Sequence, residues 1–249
     1  AAGAVGAWLG WRWALALGVV FALPVTALVL YVVRARPPVR PDQSVWSRLR
    51  WGPMLDLLRR PPIARTVGLS AVGMFVWQAT ASFLPAFLVA HHGFSEATAG
   101  ALFSGYFLVQ GLTQPGIGAL SDRLGRDAAA SLAIGVGIVG YGLLVFGGGL
   151  SVAAVAVSLA GLSMGWGAAL MPKFMDHLDD HERNSGFGLV RTVYMMLGAA
   201  GSVVTGLVAD LFGWTVAFLG LALLLGGMFA VLLRVVGRKR ADRPAAVSA

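Results

Sequence analysis

The chain has 249 residues, of which 57% are hydrophobic and only 12% charged, with a formal net charge of +8 and no cysteine. An ordinary soluble domain carries about 25% charged residues, and a soluble fold of this length has too little interior to hide so much apolar surface. Lipid is the implied solvent, and a sequence without cysteine excludes disulfides, thiolate chemistry and cysteine-held metals.

In chain order, residues 1–9 read as the end of a span that starts earlier, and the first residue is Ala1, so a fragment or processed chain is expected. A bilayer core takes roughly 20 apolar residues per helix. Such runs fall at about 13–33, 66–90, 97–119, 128–147, 150–171, 188–209 and 214–236. Short glycine-containing turns separate several of them, which makes neighbours antiparallel. The runs are far longer than barrel strands and do not alternate, so the expected class is an all-α polytopic membrane protein. Between the first and second runs lies a Pro- and Arg-rich stretch, residues 34–64, read as a linker. It includes a possible interfacial helix near 46–58, with Trp46, Leu49, Trp51, Leu55 and Leu58 at the headgroups.

The charges are ordered. Arginine and lysine crowd residues 34–65, the turn with Arg123 and Arg126, the segment with Lys173, Arg183 and Arg191, and the tail from Arg234 to Arg243. The intervening turns near 91–96, 147–150 and 210–213 hold none, and Arg12 alone departs from the pattern. The positive-inside rule makes the first set and the C-terminus cytoplasmic, in a cell (plasma) membrane. This topological origin of the basicity leaves no role for nucleic acid.

Two stretches echo each other. AVGAWLGWRWAL (4–15) resembles GLVADLFGWTVAF (206–218), and the Gly10-Trp11 and Gly213-Trp214 pairs lie about 203 residues, or six spans, apart. A repeat of six helices in parallel orientation is the organisation of major facilitator transporters.

A second feature strengthens that resemblance. GALSDRLGRD (118–127) sits between runs without charge and resembles the signature loop of the major facilitator superfamily, G-x-L-x-D-R-x-G-R-[RK]. Gly118, Leu120, Asp122, Arg123, Gly125 and Arg126 match, while Asp127 stands where the family usually has a base. The segments 182–190 and 206–214 are also similar to the family's penultimate helix and its flanks. The resemblance covers essentially the whole chain. It implies a six-helix C-terminal bundle at 65–237, preceded at 1–33 by the tail of the fifth and the whole sixth helix of the first bundle, with a tail at 238–249.

The same resemblance implies a conformational latch formed by Gly118, Asp122, Arg123, Gly125 and Arg126. Glycines 118 and 125 would give close approach and permissive backbone angles. Asp122 would accept from donors at a neighbouring helix N-terminus and oppose its dipole. The family's first, second, fourth and fifth helices line a central cavity, and the cavity candidates all fall on those four, while the third and sixth carry few polar groups. The cavity candidates are Trp77, Gln78, Tyr106, Gln110, Trp166, Arg191 and Tyr194. Gly161 and Gly165, a GxxxG pair, read as helix packing.

Span centres contain no Asp, Glu or His. A secondary transporter of a small solute, working by alternating access with its coupling carboxylate in the missing N-terminal bundle, is therefore expected. It needs no cofactor or metal and is not an enzyme. Its partners are a small-molecule substrate, the lipid bilayer and that missing bundle. One rival rests on MDHLDDHER (175–183), where His177, His181 and Asp180 suggest a metal, or Asp176, Asp179 and Asp180 a diphosphate–magnesium site of a prenyltransferase-like membrane enzyme. Another rival is a non-transporting membrane scaffold.

Overall fold

The computed structural model describes residues 11–33, 56–178 and 183–241, and all regular structure among them is helical. The chain divides into two compact units, Ala1–Trp51 and Gly52–Ala249. The described part of the first unit is one helix, α1 (Trp11–Val32), with Pro24 inside it. Most of its described side chains are apolar and exposed, Leu30 and Tyr31 among them.

The second unit contains α2 (Pro61–His92), α3 (Glu96–Leu124), α4 (Arg126–Phe146), α5 (Leu150–Ser163), α6 (Trp166–Met175), α7 (Arg183–Phe212) and α8 (Trp214–Ala241). Local chemistry sets their limits. Proline at the start of α2 has its φ fixed near the helical value, and its missing N–H lies where no intrahelical acceptor exists. The helix stops at Gly93, whose φ of 69° is left-handed. Ser95 then caps α3, its Oγ accepting the Thr98 N–H at 3.2 Å. Only Gly125 separates α3 from α4, with φ 90° and ψ 152°, a conformation closed to residues with a Cβ.

Among the described residues, five stretches are long and apolar enough to cross a membrane: Pro61–His92, Arg126–Phe146, Leu150–Met175, Gly186–Phe212 and Trp214–Arg238. At 29 residues, α3 is about 43 Å long and exceeds the hydrocarbon core, but Gln110, Thr113 and Gln114 make it less apolar than the other five. The chain is an all-α polytopic membrane protein.

The fourth run of this bundle, expected as one span over 150–171, is one membrane-length stretch, Leu150–Met175, whose helix tightens midway. Around Met164 and Gly165 the backbone switches to i→i+3 hydrogen bonds, from Met164 N–H to Gly161 O (3.2 Å) and from Gly165 N–H to Leu162 O (3.0 Å). The cause is close packing against α3. A Cβ on Gly165 would lie 2.7 Å from Ile117 Cγ1, and one on Gly161 would lie 2.6 Å from the Tyr106 carbonyl oxygen. Both glycines of the GxxxG pair therefore face α3 and permit contact with it. Other helices meet the same way: a Cβ on Gly201 of α7 would fall 2.2 Å from the Phe75 oxygen of α2, and one on Gly140 of α4 would fall 2.8 Å from the Ala160 nitrogen of α5.

Two apolar clusters fill the bundle. The larger joins all its helices except α7 around Phe87, Tyr141, Leu144, Phe218 and Leu225. The smaller lies near the start of α2 and joins Leu57, Ile63, Val67, Phe174, Leu178, Val190 and Tyr194. Leu58, expected at the lipid headgroups, packs against this second cluster instead. It sits one residue before the end of a short helical stretch, residues 56–59, that turns inward onto Ile63. Trp46, Leu49, Trp51 and Leu55 lie outside the described residues.

Candidate functional site

Alternation of helix direction places the Gly125 turn and the start of α2 at one end of the bundle, and His91, Gly149 and Gly213 at the other. Between the ends, the cavity candidates occupy α2, α3, α6 and α7. Trp77 of α2 and Gln110 of α3 are brought together, the indole Nε1–H donating to Gln110 Oε1 at 3.3 Å. Both are half-buried, as is Gln78 beside them, which makes no hydrogen bond.

The other candidates are placed differently. Tyr106 is fully buried, with its ring near Phe103 (6.5 Å, parallel) and edge-on to Phe107 (5.1 Å). Its hydroxyl has no partner. Trp166 is buried on Gly73, where a Cβ would meet the indole at 2.5 Å, and its Nε1–H is likewise unpaired. Tyr194 is buried too. It stacks on Phe174 at 6.1 Å, and its hydroxyl donates to Met171 Sδ at 3.1 Å. In this conformation these three side chains belong to the packed interior rather than to an open cavity. Arg191, by contrast, is exposed and has no ion-pair partner among the described residues.

At the Gly125 end, Arg126 is the hub. Its Nη1 donates to Asp122 Oδ1 (2.5 Å) and Ser121 Oγ (2.8 Å), and its Nε lies 3.6 Å from Asp176 Oδ2. One guanidinium thus joins the end of α3 to the residue after α6. This arrangement corrects two expectations. Asp122 is engaged by Arg126, four residues on, rather than by the amides of a neighbouring helix. Gly118 makes no close approach, because nothing lies within 4 Å of where its Cβ would be. Arg123 is exposed.

The sequence reading treated Asp127 only as a departure from the signature. In the structure it lies in the first turn of α4, 3% exposed, and accepts a hydrogen bond from the equally buried Nζ of Lys173 on α6. The helix N-terminus adds favourable potential for the carboxylate. A signal for this pair existed. Lys173 is the first charged residue after Asp127, and a lysine ending so long an apolar run needs a carboxylate if it is not to be stranded.

The histidines at the other end were also missed. His91 Nε2 meets Val145 O at 3.1 Å and His92 Nε2 meets Leu144 O at 2.8 Å. Carbonyls only accept, so both Nε2 atoms carry protons. The two carbonyls belong to the last turn of α4, which has no intrahelical donors for them. The remaining nitrogen of His91, Nδ1, lies 3.2 Å from the Thr215 hydroxyl. The pair thereby ties α2 to α4 and α8.

In the 175–183 stretch, His177 Nδ1 contacts the Lys173 carbonyl at 2.7 Å and Asp176 faces Arg126. Asp179, Asp180 and His181 lie outside the described residues. Among those described, no three His, Asp or Glu side chains gather as a metal site would require.

Residues 66–249 match the family model described as Major Facilitator Superfamily. A search of curated proteins finds no match. Among solved structures, the fold is similar to the POT family transporter PepTSo, solved in meso, with a TM-score of 0.59 and 22% identity. The alignment covers 72% of this chain but only 37% of that one, so the chain spans well under half the length of that protein. At this identity the likeness concerns the fold alone.

Proposed function

Because this chain belongs to the major facilitator superfamily, we propose that it forms part of a secondary active transporter that moves a small solute by alternating access. In this reading residues 65–237 are the C-terminal bundle. Residues 1–33 complete an N-terminal bundle, 34–64 link the two and 238–249 form a tail. The basic end, with Arg126, Lys173 and the C-terminus, faces the cytoplasm across the plasma membrane. Rocking of the two bundles about a site near the midplane would expose that site to each side in turn.

The observation that carries the reading is the Trp77–Gln110 hydrogen bond between α2 and α3. It sets a polar, aromatic pair midway along two helices of an otherwise apolar bundle, where a solute's hydrogen-bonding groups have something to replace. Gln78 and Arg191 are further candidates, and Tyr106, Trp166 and Tyr194, packed in this conformation, would join the lining in another. Such a lining is aromatic and sparsely polar, which suits weakly polar or amphipathic solutes. The span centres hold no Asp, Glu or His, so a coupling carboxylate would come from the N-terminal bundle. The latch is the set Gly118, Asp122, Arg123, Gly125 and Arg126, with Arg126 as its centre. No catalytic step is involved.

The test is flux. The full-length protein, reconstituted in liposomes, is given radiolabelled solutes of graded polarity under imposed proton and sodium gradients. Saturable uptake of one class, reduced at least tenfold in W77F/Q110L at unchanged protein yield, supports the reading. Folded protein without gradient-driven flux of any class would leave the scaffold in its place.

A further inference from the structure

One face of the bundle carries a groove that the reading above does not use. It runs between α2, α7 and α8 with a volume of about 760 Å³, within the range of built ligand sites. Its walls include Leu69, Phe75, Val208, Leu221 and Val231, and the sole charged side chain in its lining is Arg65. Its floor is left open by Gly68, Gly220 and Gly227, none of which has an atom within 4 Å of where a Cβ would stand.

The dimensions and the charge point to one kind of occupant. Along α2 the lining runs from Arg65 to Phe75, about 15 Å at the helical rise, and along α8 from Val231 back to Ala217, about 21 Å. One leaflet of hydrocarbon is half of ~30 Å. Arg65 is exposed and makes no ion pair among the described residues, and it stands at the end of the groove nearest the basic surface. Arg234 and Arg238, three and seven residues beyond Val231, continue that face of α8 outward. An apolar slot one leaflet deep, with Arg65 at its basic end, has the chemistry to hold a phospholipid with net negative charge.

We propose that this groove is a binding site for one anionic membrane phospholipid, its acyl chain lying along the glycine floor and its phosphate on Arg65. The lipid belongs to the leaflet on the basic side of the membrane. Its binding would tie α2, α7 and α8 together at that end, whatever solute the protein carries.

The experiment is native mass spectrometry of the full-length protein released from mixed micelles containing phosphatidylglycerol and phosphatidylcholine in equal amounts. The expected spectrum shows one retained phosphatidylglycerol. R65Q should weaken retention about fivefold, as loss of one basic contact near a membrane surface predicts, while R65K keeps most of it. G227L, which fills the floor and leaves the charge intact, should lower retention of both lipids. Three results overturn the proposal: equal retention of the two lipids; phosphatidylglycerol retention unchanged by both R65Q and G227L; and a lipid-free dimer dispersed by G227L, which would make the groove an interface between copies.

Discussion

Lys173 and Asp127 form a buried ion pair between α6 and the first turn of α4, each only 3% exposed. Removing one member deprives the other buried charge of this partner, a change that typically costs about 3–5 kcal/mol. Asp127→Asn and Lys173→Met should therefore each lower the melting temperature in detergent markedly. The double replacement Asp127→Leu/Lys173→Met should recover much of the loss, and a double variant no more stable than the singles would show that the pair is not coupled in this way.

Arg126 is a contrasting case. Its partners Asp122 and Asp176 are 68% and 53% exposed, and such pairs contribute about 0–1 kcal/mol. Arg126→Ala should shift the melting temperature little. Under the proposed mechanism it should nonetheless slow solute flux several-fold, since the hub joins α3 to the end of α6. Unaltered initial rates of uptake would remove Arg126 from the latch.

Gly125 tests backbone geometry in isolation. Nothing lies within 4 Å of its Cβ position, yet its φ is 90°. Gly125→Ala should then destabilise by about 1–3 kcal/mol through conformation alone, with no clash to relieve. A melting curve identical to the parent's would mean that the turn adapts.

Glycine at helix contacts should behave in the opposite manner to glycine facing outward. Gly201→Ala forces an atom to within 2.2 Å of the Phe75 carbonyl, and overpacking of this kind costs about 1–3 kcal/mol or more. Gly226→Ala meets nothing within 4 Å in the interior of α8 and should stabilise by about 0.5–1 kcal/mol. Thermal unfolding of the two variants side by side gives both signs.

His92→Ala should leave the Leu144 carbonyl without its donor, a loss of about 1 kcal/mol confined to the end of α4. Hydrogen exchange across residues 140–149 should rise while exchange in α7 stays unchanged. Uniform acceleration would instead mean that the histidine supports the whole bundle.

How far the sequence led can be judged helix by helix. The apolar runs located the spans because a membrane helix must satisfy its own backbone, and length alone reports that. The tightening at Met164–Gly165 left no such trace, since it arises where α3 presses Ile117 and Tyr106 against two glycines. Trp77 and Gln110 are candidates on separate helices, and their hydrogen bond becomes visible only in the fold. Depth could not distinguish an inward ring from an enclosed one: Trp166 is packed on Gly73 of α2, and Tyr106 is enclosed with its ring beside Phe103 and Phe107. The resemblance drew attention to Asp122 and away from Asp127. Only the fold shows that Asp127 points to Lys173, 46 residues away.

The joint between α5 and α6 also has a mechanical meaning. Ten residues beyond it form an arm about 15 Å long. That arm carries Trp166 against Gly73 near its fulcrum, Met171 under the Tyr194 hydroxyl halfway along, and Lys173 on Asp127 near its tip. A tilt of about 10° at Gly165 would leave Trp166 almost in place and swing the Met175 end by ~2.6 Å. Lys173, about 12 Å from Gly165, would move by ~2.1 Å, enough to stretch the ion pair while barely disturbing the indole. Leverage of this kind would turn a small disturbance around Trp166 into a large one at the basic surface.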